Sequence, residues 1–490
     1  MTSAEHGTTG GGGGVFRRPV VPFDLSVPGR FHVVGAGGPG MSAVALVLAE
    51  MGHDVSGSDI RDSPVLERLR LAGVRIHVPH DAALVDGVDA VTYSTAIPQT
   101  NVEIVAAREA GIATMHRSAM LASMCAMAQS LGVAGTHGKT TTSSMLMLVL
   151  AEAGLRPSFV IGGDVTDIGT GAQWTGGPWF VIEADESDKS HLALPLFGTI
   201  LTNVEADHLE NWGSLEAIVT GFDTYLRQIP GPKVLCADDR VCDGFASVLR
   251  RELGDESGVV TYGLAEGADF RAVELVPDHG SFRFRVLNGS SDLGEFVLPL
   301  RGVHNVVNAT GVIAMASTIG VGVDDIRAAL QRFGGVARRF DVRGQLHGAT
   351  LIDDYAHIPT EIDAVLRAAR DSGDGWQRVV AVFQPNRYRR MAVLSPEYRD
   401  AFAAADVVVI TEIYPSGDAP IPGVTAKLVV NAVLDAHPWQ RVAWLPQRAE
   451  LVDYLVRELR PGDVCVSMGC GDISELPTEL LLRAEELDAG

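Results

Sequence analysis

One short stretch of the sequence has the residue types and spacing of a phosphate-binding site: Gly135-Thr136-His137-Gly138-Lys139-Thr140-Thr141. An apolar run, Leu131 to Ala134, precedes it, and a run typical of a helix, Thr142 to Ala153, follows it. Glycines let backbone N–H groups approach phosphates, and the N-terminus of a helix adds partial positive charge. In such loops the lysine reaches the terminal phosphates and the adjacent hydroxyl holds Mg²⁺. The spacing is a shorter variant, because position 133 is Val rather than Gly. An ordinary turn is the alternative, but a strand before the loop and a helix after it favour a nucleoside triphosphate site.

Two predicted strands after this loop end in acidic residues. The run from Glu183 to Asp188 follows the apolar strand Trp179 to Ile182, and Glu205-Ala206-Asp207-His208 follows a strand from Thr199 to Val204. Ligands of open parallel sheets bind beyond the carboxyl ends of the strands. Carboxylates there suit Mg²⁺, which prefers oxygen ligands and triphosphate. Acidic loops that only keep strand ends solvated are the alternative.

A second glycine loop lies near the start of the chain. Gly35, Gly37 and Gly40 fit G-x-G-x-x-G between a strand, Phe31 to Val34, and a helix from about Met41 to Met51. Asp59 follows the next strand, where an acidic residue meets a ribose hydroxyl in dinucleotide folds. A nicotinamide cofactor and a diphosphate-sugar nucleotide both satisfy this geometry.

The last 150 or so residues repeat the alternation of strands and helices, as in a further nucleotide-type domain. A strand at 350–352 ends at Asp353-Asp354-Tyr355-Ala356-His357, and a strand at 379–383 ends at an arginine-rich stretch up to Arg390. We predict that this stretch is a loop rather than a helix, in which Arg387 and Arg390 point inward as an anion clamp; a solvated basic face is the alternative. The polar cluster at 304–308 either faces an adenine or caps a helix that runs towards Thr318.

Length and composition limit the remaining choices. A chain of 490 residues suggests about three domains, and its 39 Lys+Arg against 61 Asp+Glu give a net charge of -22. Such a chain repels polyanions, so we expect no nucleic-acid partner. Five cysteines without C-x-x-C spacing indicate buried thiols rather than a disulfide or zinc framework. No apolar stretch has signal-peptide or membrane-span length, so we expect a cytoplasmic protein without a membrane partner.

Three further segments have compositions that predict a tail, an appendage and a hinge. The first 28 residues, with five consecutive glycines, predict a disordered tail. Residues 259–300 predict short strands with turns at Gly280, Gly289 and Gly294, a β-rich appendage, and Gly334-Gly335-Val336 predicts a hinge.

These motifs together resemble the Mur ligases, ATP-dependent amino-acid ligases of peptidoglycan precursor synthesis. The resemblance covers nearly everything from Arg30 onwards, and the short loop Gly135 to Thr140 is its most specific element. The acidic strand ends, the stretch from Asp353 to Glu361, and Phe383-Gln384-Pro385 also match. Ile358 and Asn386 depart from the pattern, since histidine is usual at both, and no role is carried over to them.

The resemblance implies an α/β fold of three domains after the tail (1–28). These are a Rossmann-like UDP-sugar domain (29–118), a central P-loop domain with a parallel sheet and the β-rich appendage (119–336), and a Rossmann-like amino-acid domain (337–490). It implies that L-alanine is joined to the lactyl carboxylate of UDP-N-acetylmuramate at the expense of ATP. Mg²⁺, or Mn²⁺ in its place, is the implied metal, and we expect a monomer or a weak homodimer.

The resemblance also implies roles for individual residues. The ATP-binding set is Gly135, Thr136, His137, Gly138, Lys139, Thr140, Thr141, His304, Asn305, Asn308, Arg339 and Asp353, with Arg338 as an alternative to Arg339. The UDP-sugar set is Gly35, Gly37, Gly38, Gly40, Met41, Ser58, Asp59 and Ser94. The amino-acid set is Tyr355, His357, Arg387 and Arg390; the catalytic set is Lys139, His357, Arg387 and Arg390; and the metal ligands are Thr140, Glu183 and His208.

Three alternatives stay open at this point. A nicotinamide oxidoreductase accounts for the first glycine loop but leaves the P-loop idle. A non-catalytic ATP-dependent switch uses the P-loop but needs no amino-acid site. A recycling ligase attaches a whole tripeptide to the same sugar nucleotide.

Overall fold

The computed structural model describes residues 22–489. Most of the predicted disordered tail (1–28) lies outside the described residues. The remainder of that tail is packed: Leu25 is buried, and the backbone N–H of Phe23 donates a hydrogen bond to Ser123 Oγ at 2.8 Å. Phe23 and Leu25 therefore contact the folded body.

The first sheet is fully parallel, with strand order β3-β2-β1-β4-β5, the order of a nucleotide-binding Rossmann sheet. Its strands are β1 (Arg30–Val34), β2 (Asp54–Ser58), β3 (Arg75–His77), β4 (Ala90–Tyr93) and β5 (Ala113–His116). Its helices are α1 (Pro39–Glu50), α2 (Pro64–Leu71) and α3 (Val102–Glu109), and α4 (Arg117–Cys125) leads into the next sheet.

The second sheet has ten strands in the order β15-β14-β13-β12-β11-β10-β6-β9-β7-β8. They are β6 (Gln129–Ala134), β7 (Ser158–Val165), β8 (Thr170–Gln173), β9 (Trp179–Glu183), β10 (Gly198–Leu201), β11 (Lys233–Cys236), β12 (Val259–Gly263), β13 (Phe270–Asp278), β14 (Ser281–Asn288) and β15 (Ser291–Leu298). The helices are α5 (Lys139–Glu152), α6 (Leu209–Trp212), α7 (Leu215–Gln228), α8 (Arg240–Leu253), α9 (Val303–Thr318) and α10 (Val323–Gln331).

The position of β6 brings the predicted motifs together. β6 leads into the P-loop and pairs in parallel with β9 on one side and β10 on the other. Because these are the strands that end in acidic residues, both acidic loops lie beside the P-loop at the carboxyl edge of the sheet.

The predicted β-rich appendage is the antiparallel end of this same sheet, since β13 pairs with β12 and then with β14, and β14 pairs with β15. The predicted turns at Gly280 and Gly289 are present, but the turn predicted at Gly294 is wrong: this glycine lies inside β15. Its φ of +87°, opposite an irregular register, is the conformation of a bulge, which a sequence pattern does not separate from a turn.

The third sheet has the order β16-β17-β21-β18-β19-β20, with only β16 antiparallel. Its strands are β16 (Asp341–Leu346), β17 (Ala349–Asp354), β18 (Arg378–Phe383), β19 (Val407–Ile410), β20 (Arg441–Trp444) and β21 (Asp463–Met468). Its helices are α11 (Pro359–Arg370), α12 (Tyr388–Leu394), α13 (Lys427–Ala436), α14 (Arg448–Glu458) and α15 (Leu476–Ala489).

The distribution of buried apolar side chains shows how the sheets are joined. One continuous cluster runs from Leu25 to Val336 and includes residues of both the first and the second sheet. Two separate clusters cover the two faces of the third sheet. The first two sheets thus share a core, whereas the third has its own; the domain boundaries at 118 and 336 stay predictions.

Two further expectations concern cysteines and membranes. Cys125, Cys236, Cys242 and Cys465 are buried free thiols, and Cys470 is a partly exposed free thiol. Over the described residues, no helix combines the length and apolar character that crossing a membrane requires.

Candidate active site

A cavity of about 530 Å³ lies between the central and C-terminal sheets. The P-loop and the start of α9 form its central wall, and residues after the predicted hinge together with the start of α11 form the opposite wall. Lining residues from the predicted ATP-binding set are His137, Gly138, Thr140, Thr141, His304, Asn305, Asn308 and Arg339. The structure therefore brings most of this set together around one cavity, which is large enough for a nucleotide-sized ligand.

The P-loop has a shape that only glycine permits at two positions. Gly135 has φ +124°, and a Cβ atom there would clash with Thr202 Oγ1 and lie 2.9 Å from the Asn203 carbonyl oxygen. Gly138 has φ +79°, and a Cβ atom there would lie 2.8 Å from Asn308 Oδ1. The loop is thus wedged between the end of β10 and α9, and α5 begins directly at Lys139.

The second acidic loop holds the P-loop in place. Asn203 accepts the backbone N–H of Thr136 at its carbonyl (3.0 Å) and that of His137 at its Oδ1 (2.8 Å). The backbone N–H of Glu205 donates to Thr136 Oγ1 at 2.8 Å. The amide geometry of the phosphate loop is therefore fixed before any ligand binds.

Lys139 is held by the first acidic loop and by the P-loop itself. Its Nζ donates to Gly135 O at 2.6 Å and to the two carboxylate oxygens of Glu186 at 3.0 and 2.9 Å. Burial lowers the pKa of Lys139, but Glu186 and Asp185 outweigh this effect and raise the pKa above its ordinary value. The ammonium group is thus charged, and it must exchange the Glu186 carboxylate for phosphate oxygens to act on ATP.

Thr140 and Glu183 each lie beside one of two consecutive glycines in β7, Gly163 and Gly162 respectively. A Cβ atom at Gly162 would lie 2.9 Å from Glu183 Oε2, and one at Gly163 would lie 3.4 Å from Thr140 Cγ2. Glu183 Oε1 accepts the backbone N–H of Gly162 at 2.7 Å. A hydroxyl and a carboxylate beside a P-loop are donors that suit Mg²⁺, which usually binds one or two protein oxygens plus substrate phosphates.

His208, the third predicted metal ligand, has a different setting. Its Nε2 lies 3.3 Å from Asp207 Oδ2, in an unusual left-handed backbone position at the start of α6. No group of three or more His, Cys, Asp or Glu side chains placed to hold a metal occurs within residues 22–489. The metal-ligand roles of Thr140, Glu183 and His208 therefore all stay predictions.

His137 bridges the two walls of the cavity. Its Nδ1 lies 3.1 Å from Glu361 Oε1 at the start of α11, and its Nε2 lies 3.2 Å from Glu205 Oε2. Burial lowers the pKa of His137, but hydrogen bonds to the two carboxylates outweigh it and raise the pKa to about 9. The imidazole is thus a cation at neutral pH, and it ties the P-loop to the C-terminal domain.

The expected clamp of two arginines is wrong in one structural respect. Arg390 lies in helix α12, not in a loop, and Arg387 caps that helix with a φ of +59°. The sequence pattern did not indicate this helix, because the helix has only seven residues and follows Pro385 and Asn386, which are typical of a loop. Arg390 is buried and donates to Asp207 Oδ1 at 3.0 Å and to Asn386 Oδ1 at 3.1 Å.

Tyr355 and His357 lie at the same end of the third sheet. The guanidinium carbons of Arg338 and Arg339 lie 5.0 and 5.2 Å from the Tyr355 ring centre, within the range of cation–π contacts. His357 Nδ1 lies 3.1 Å from the Tyr355 carbonyl oxygen and 3.2 Å from Glu361 Oε2. The predicted amino-acid residues are therefore neighbours of the inter-domain bridge.

Asp353 was predicted to bind ATP, but its neighbour Asp354 is the one that lines the cavity. Asp353 is fully buried and lies 3.2 Å from Arg338 Nε, whereas Asp354 lines the cavity. Burial raises the pKa of Asp354 to about 6. The ATP contact predicted for Asp353 stays a prediction, and Asp354 is the carboxyl group nearer the cavity.

The glycine loop of the first sheet is built around Asp59. The backbone N–H of Gly37 donates to Asp59 Oδ2 at 2.9 Å, and those of Gly35 and Ala36 both donate to the Ser58 carbonyl at 2.9 Å. Met41 and Ser58 have buried side chains, and Ser58 Oγ donates to Glu103 at 2.6 Å, so only their backbones are available to a ligand. Gly38 caps α1, Gly40 lies in its first turn, and Ser94 directly follows β4.

Three residues of this region carried no role in the sequence-based prediction. They are Glu361, Asp207 and Arg117, and each pairs with a residue far away in sequence, such as His137 with Glu361. Glu361 and Asp207 stood inside matched motifs, which was the only available signal. Their partners could not be identified without the fold.

Comparison with known proteins places these features in a family. Three family models match consecutive parts of the chain: "Mur ligase family, catalytic domain" over 30–129, "Mur ligase middle domain" over 133–316, and "Mur ligase, glutamate ligase domain" over 338–471. The chain belongs to the Mur ligase family. The three matched segments correspond to the three sheets, and this Mur ligase has the three-domain α/β fold predicted from its sequence.

Individual relatives agree with this membership. A UDP-N-acetylmuramate–L-alanine ligase of Geotalea daltonii is 40% identical over 460 residues, which are 93% of this chain and 98% of the relative. The crystal structure of a UDP-N-acetylmuramate–alanine ligase from Thermotoga maritima matches with a TM-score of 0.78 and 29% identity, covering 94% of this Mur ligase and all of that chain. A UDP-N-acetylmuramate:L-alanyl-γ-D-glutamyl-meso-diaminopimelate ligase from Neisseria meningitides matches with a TM-score of 0.57 and 30% identity, over 64% of this chain and all of its own.

Proposed function

We propose that this chain is an ATP-dependent ligase that joins L-alanine to the lactyl carboxylate of UDP-N-acetylmuramate, with UDP-N-acetylmuramoyl-L-alanine, ADP and phosphate as products. The observation that carries the proposal is the near full-length likeness to alanine ligases, at 40% identity over 98% of one relative's length. The cavity that joins the P-loop to the C-terminal domain supports it, because amide formation needs ATP and an amine at one place.

The chemistry follows from the weakness of a carboxylate as an acyl donor. The lactyl carboxylate attacks the γ-phosphorus of ATP, so an oxygen–phosphorus bond forms and ADP leaves. The amine of L-alanine then attacks the acyl carbon of the resulting acyl phosphate, loses a proton, and inorganic phosphate leaves. Catalysis by the protein consists mainly of positioning and of neutralising charge on the phosphoryl oxygens.

The residues of the chain divide this work between the domains. The P-loop amides hold the phosphate chain, and Lys139, released from Glu186, neutralises the charge on the departing phosphate. Asn305 and Asn308 face the nucleoside from α9. Arg387 and Arg390 lie beyond the carboxyl end of β18. There they bind the carboxylate of L-alanine or the transferred phosphoryl group.

A divalent cation fits this site through Thr140 and Glu183. When bound, Mg²⁺, or Mn²⁺ in its place, polarises the phosphoryl oxygens and orients the triphosphate. Oxygen donors of this kind agree with the preference of both ions for carboxylate and hydroxyl ligands. His208 stays a predicted metal ligand, at a second metal position that the family resemblance implies.

The assay that tests this function measures phosphate release with ATP and UDP-N-acetylmuramate while the amine is varied. L-alanine, glycine, L-serine and the tripeptide L-alanyl-γ-D-glutamyl-meso-diaminopimelate are compared, with the product mass determined in each case. We expect L-alanine to give the highest kcat/KM. A preference for the tripeptide would assign the recycling reaction instead, and ATP hydrolysis without an amide product would assign a switch.

A further inference from the structure

We propose that Arg117 binds the diphosphate of the sugar nucleotide and places it beside the acidic loop of the ATP site. This inference rests on the proposed function. Arg117 is the first residue of α4, at the junction of the first and second sheets. No sequence motif indicated a role for Arg117, and the inference comes from the groups that surround it in the fold.

Arg117 lies against the glycine loop that is the candidate diphosphate site. Atom NH1 of Arg117 is 3.0 Å from the position that a Cβ atom would take at Gly40. Gly40 lies in the first turn of α1, where backbone N–H groups and the partial positive charge of the helix favour a phosphate. A guanidinium at this point adds a full charge and a planar fork, which suits two neighbouring phosphate oxygens.

The other side of the guanidinium faces the acidic loop. NH2 of Arg117 lies 3.1 Å from Asp188 Oδ2 and 3.7 Å from Asp185 Oδ2. The Oδ1 atoms of these two aspartates accept loop amides, of Ser190 at 3.0 Å and Ser187 at 2.9 Å. Both carboxylates thus contact NH2, whereas the structure shows no hydrogen bond from Nε or NH1 of Arg117 to any group within residues 22–489.

The position of Arg117 also reduces the repulsion between the acidic loop and a bound diphosphate. The acidic loop carries Glu183, Asp185, Glu186 and Asp188, and a diphosphate next to it would be repelled. Arg117 stands between the two sets of negative charge, and its side chain is only 21% exposed, so water screens it weakly. On the far side of the same loop, Glu186 holds Lys139. A cation here lets the sugar nucleotide lie close to the reacting end of ATP.

The test compares kinetics of Arg117→Ala and Arg117→Lys with the wild type. We expect Arg117→Ala to raise the KM for UDP-N-acetylmuramate about 10- to 100-fold, as for a lost charge-assisted contact, while the KM for ATP changes less than about twofold. Arg117→Lys keeps the charge without the fork and should give an intermediate KM. This variant also keeps the test decisive if Arg117→Ala does not fold.

Two control variants separate a ligand contact from a structural ion pair. Asp188→Asn removes the stronger partner of Arg117 and should leave the KM for the sugar nucleotide unchanged or lower. Arg68→Ala breaks another ion pair between the first and second sheets, Arg68 NH1 to Asp164 at 3.0 Å, and should change neither KM. If Asp188→Asn raises the KM as much as Arg117→Ala does, the role of Arg117 is structural and the inference fails.

Calorimetry identifies the part of the ligand that Arg117 contacts. With a non-hydrolysable ATP analogue present, UDP alone should bind Arg117→Ala at least tenfold more weakly than it binds the wild type. Unchanged binding of UDP would overturn the diphosphate assignment. If the wild type forms no amide from L-alanine, the proposed function fails, but the UDP titrations still decide the role of Arg117.

Discussion

At the residue scale, the charge on Lys139 is secured by Glu186 before any ATP binds. The lysine contributes more to the transition state than to the ground state, because negative charge moves onto the leaving phosphate as the bond breaks. We expect Lys139→Ala to lower kcat by about 10²–10³, the usual loss for an electrostatic contact of this type. The decrease in kcat is measured as the steady-state rate of phosphate release.

The Lys139→Ala variant also leaves Glu186 buried without its cation, which by itself destabilises a protein. The double variant Lys139→Ala/Glu186→Gln removes that effect. If the double variant regains wild-type turnover, the loss came from misfolding of the acidic loop and Lys139 has no direct role in phosphoryl transfer.

A second prediction at the residue scale concerns His191, which is buried among aromatic rings. Its ring lies 5.3 Å from those of Phe222 and Tyr225 and 5.9 Å from that of Trp212, and neither ring nitrogen has a hydrogen-bond partner among the described residues. Burying an unsatisfied polar group costs about 1–3 kcal/mol. We expect His191→Phe to raise the free energy of unfolding by up to that amount, measured by urea denaturation at neutral pH.

The pH dependence of this effect has a definite sign. Burial lowers the pKa of His191 to about 4 from an ordinary value of 6.5. Between these values the unfolded chain binds a proton that the folded chain does not, so stability falls as pH drops from about 6.5 towards 4. His191→Phe should lose less stability than the wild type over this window. An identical loss in both proteins would contradict the buried, neutral state of His191.

At the scale of elements, the two ends of α5 offer a matched pair of glycines. Gly135 and Gly154 both have positive φ, +124° and +72°. A Cβ atom at Gly135 would meet Thr202 and Asn203, whereas one at Gly154 would meet no atom of the described residues within 4 Å. We expect Gly135→Ala to abolish ATP binding in calorimetry because the phosphate loop must move. Gly154→Ala should cost only backbone strain, about 1 kcal/mol, and keep ATP affinity. Equal ATP affinity in the two variants would show that the loop tolerates the displacement.

The elements also show what the sequence can and cannot specify. The P-loop and both acidic strand ends were predictable, because apolar strands followed by glycines or carboxylates are local patterns. Helix α12 was not, since it is short and follows Pro385 and Asn386. The continuity of β12 with β13 was not either, because strand pairing depends on contacts that the linear pattern does not encode.

The same limit applies to the site. His137, Arg390 and Arg117 were visible as residue types, but their partners Glu361, Asp207 and Asp188 lie from about 70 to more than 200 positions away. Conversely, Ser58 and Met41 matched the glycine-loop pattern although their side chains are buried. A motif thus predicts which backbone meets a ligand better than which side chain does.

At the scale of the whole molecule, the central and C-terminal domains meet through charged groups at the ATP cavity. His137 of the P-loop lies between Glu205 and Glu361, and Arg390 of α12 lies 3.0 Å from Asp207. The buried apolar clusters of the two domains are separate, and these ion pairs cross from one domain to the other. The relative placement of the domains should therefore depend on pH.

The pKa of His137, about 9, lies above its ordinary value of 6.5, so its protonated form stabilises the docked arrangement. This contribution is complete below pH 6.5 and is lost as pH rises through 9. We expect small-angle scattering to show a larger radius of gyration for the wild type at pH 10 than at pH 7. Glu361→Gln should already be larger at pH 7 and respond less to pH. Asp363→Asn lies on the same helix but breaks only the exposed pair with Arg367, so it should behave like the wild type. If Glu361→Gln keeps the wild-type radius and pH response, the His137–Glu361 contact does not hold the domains together.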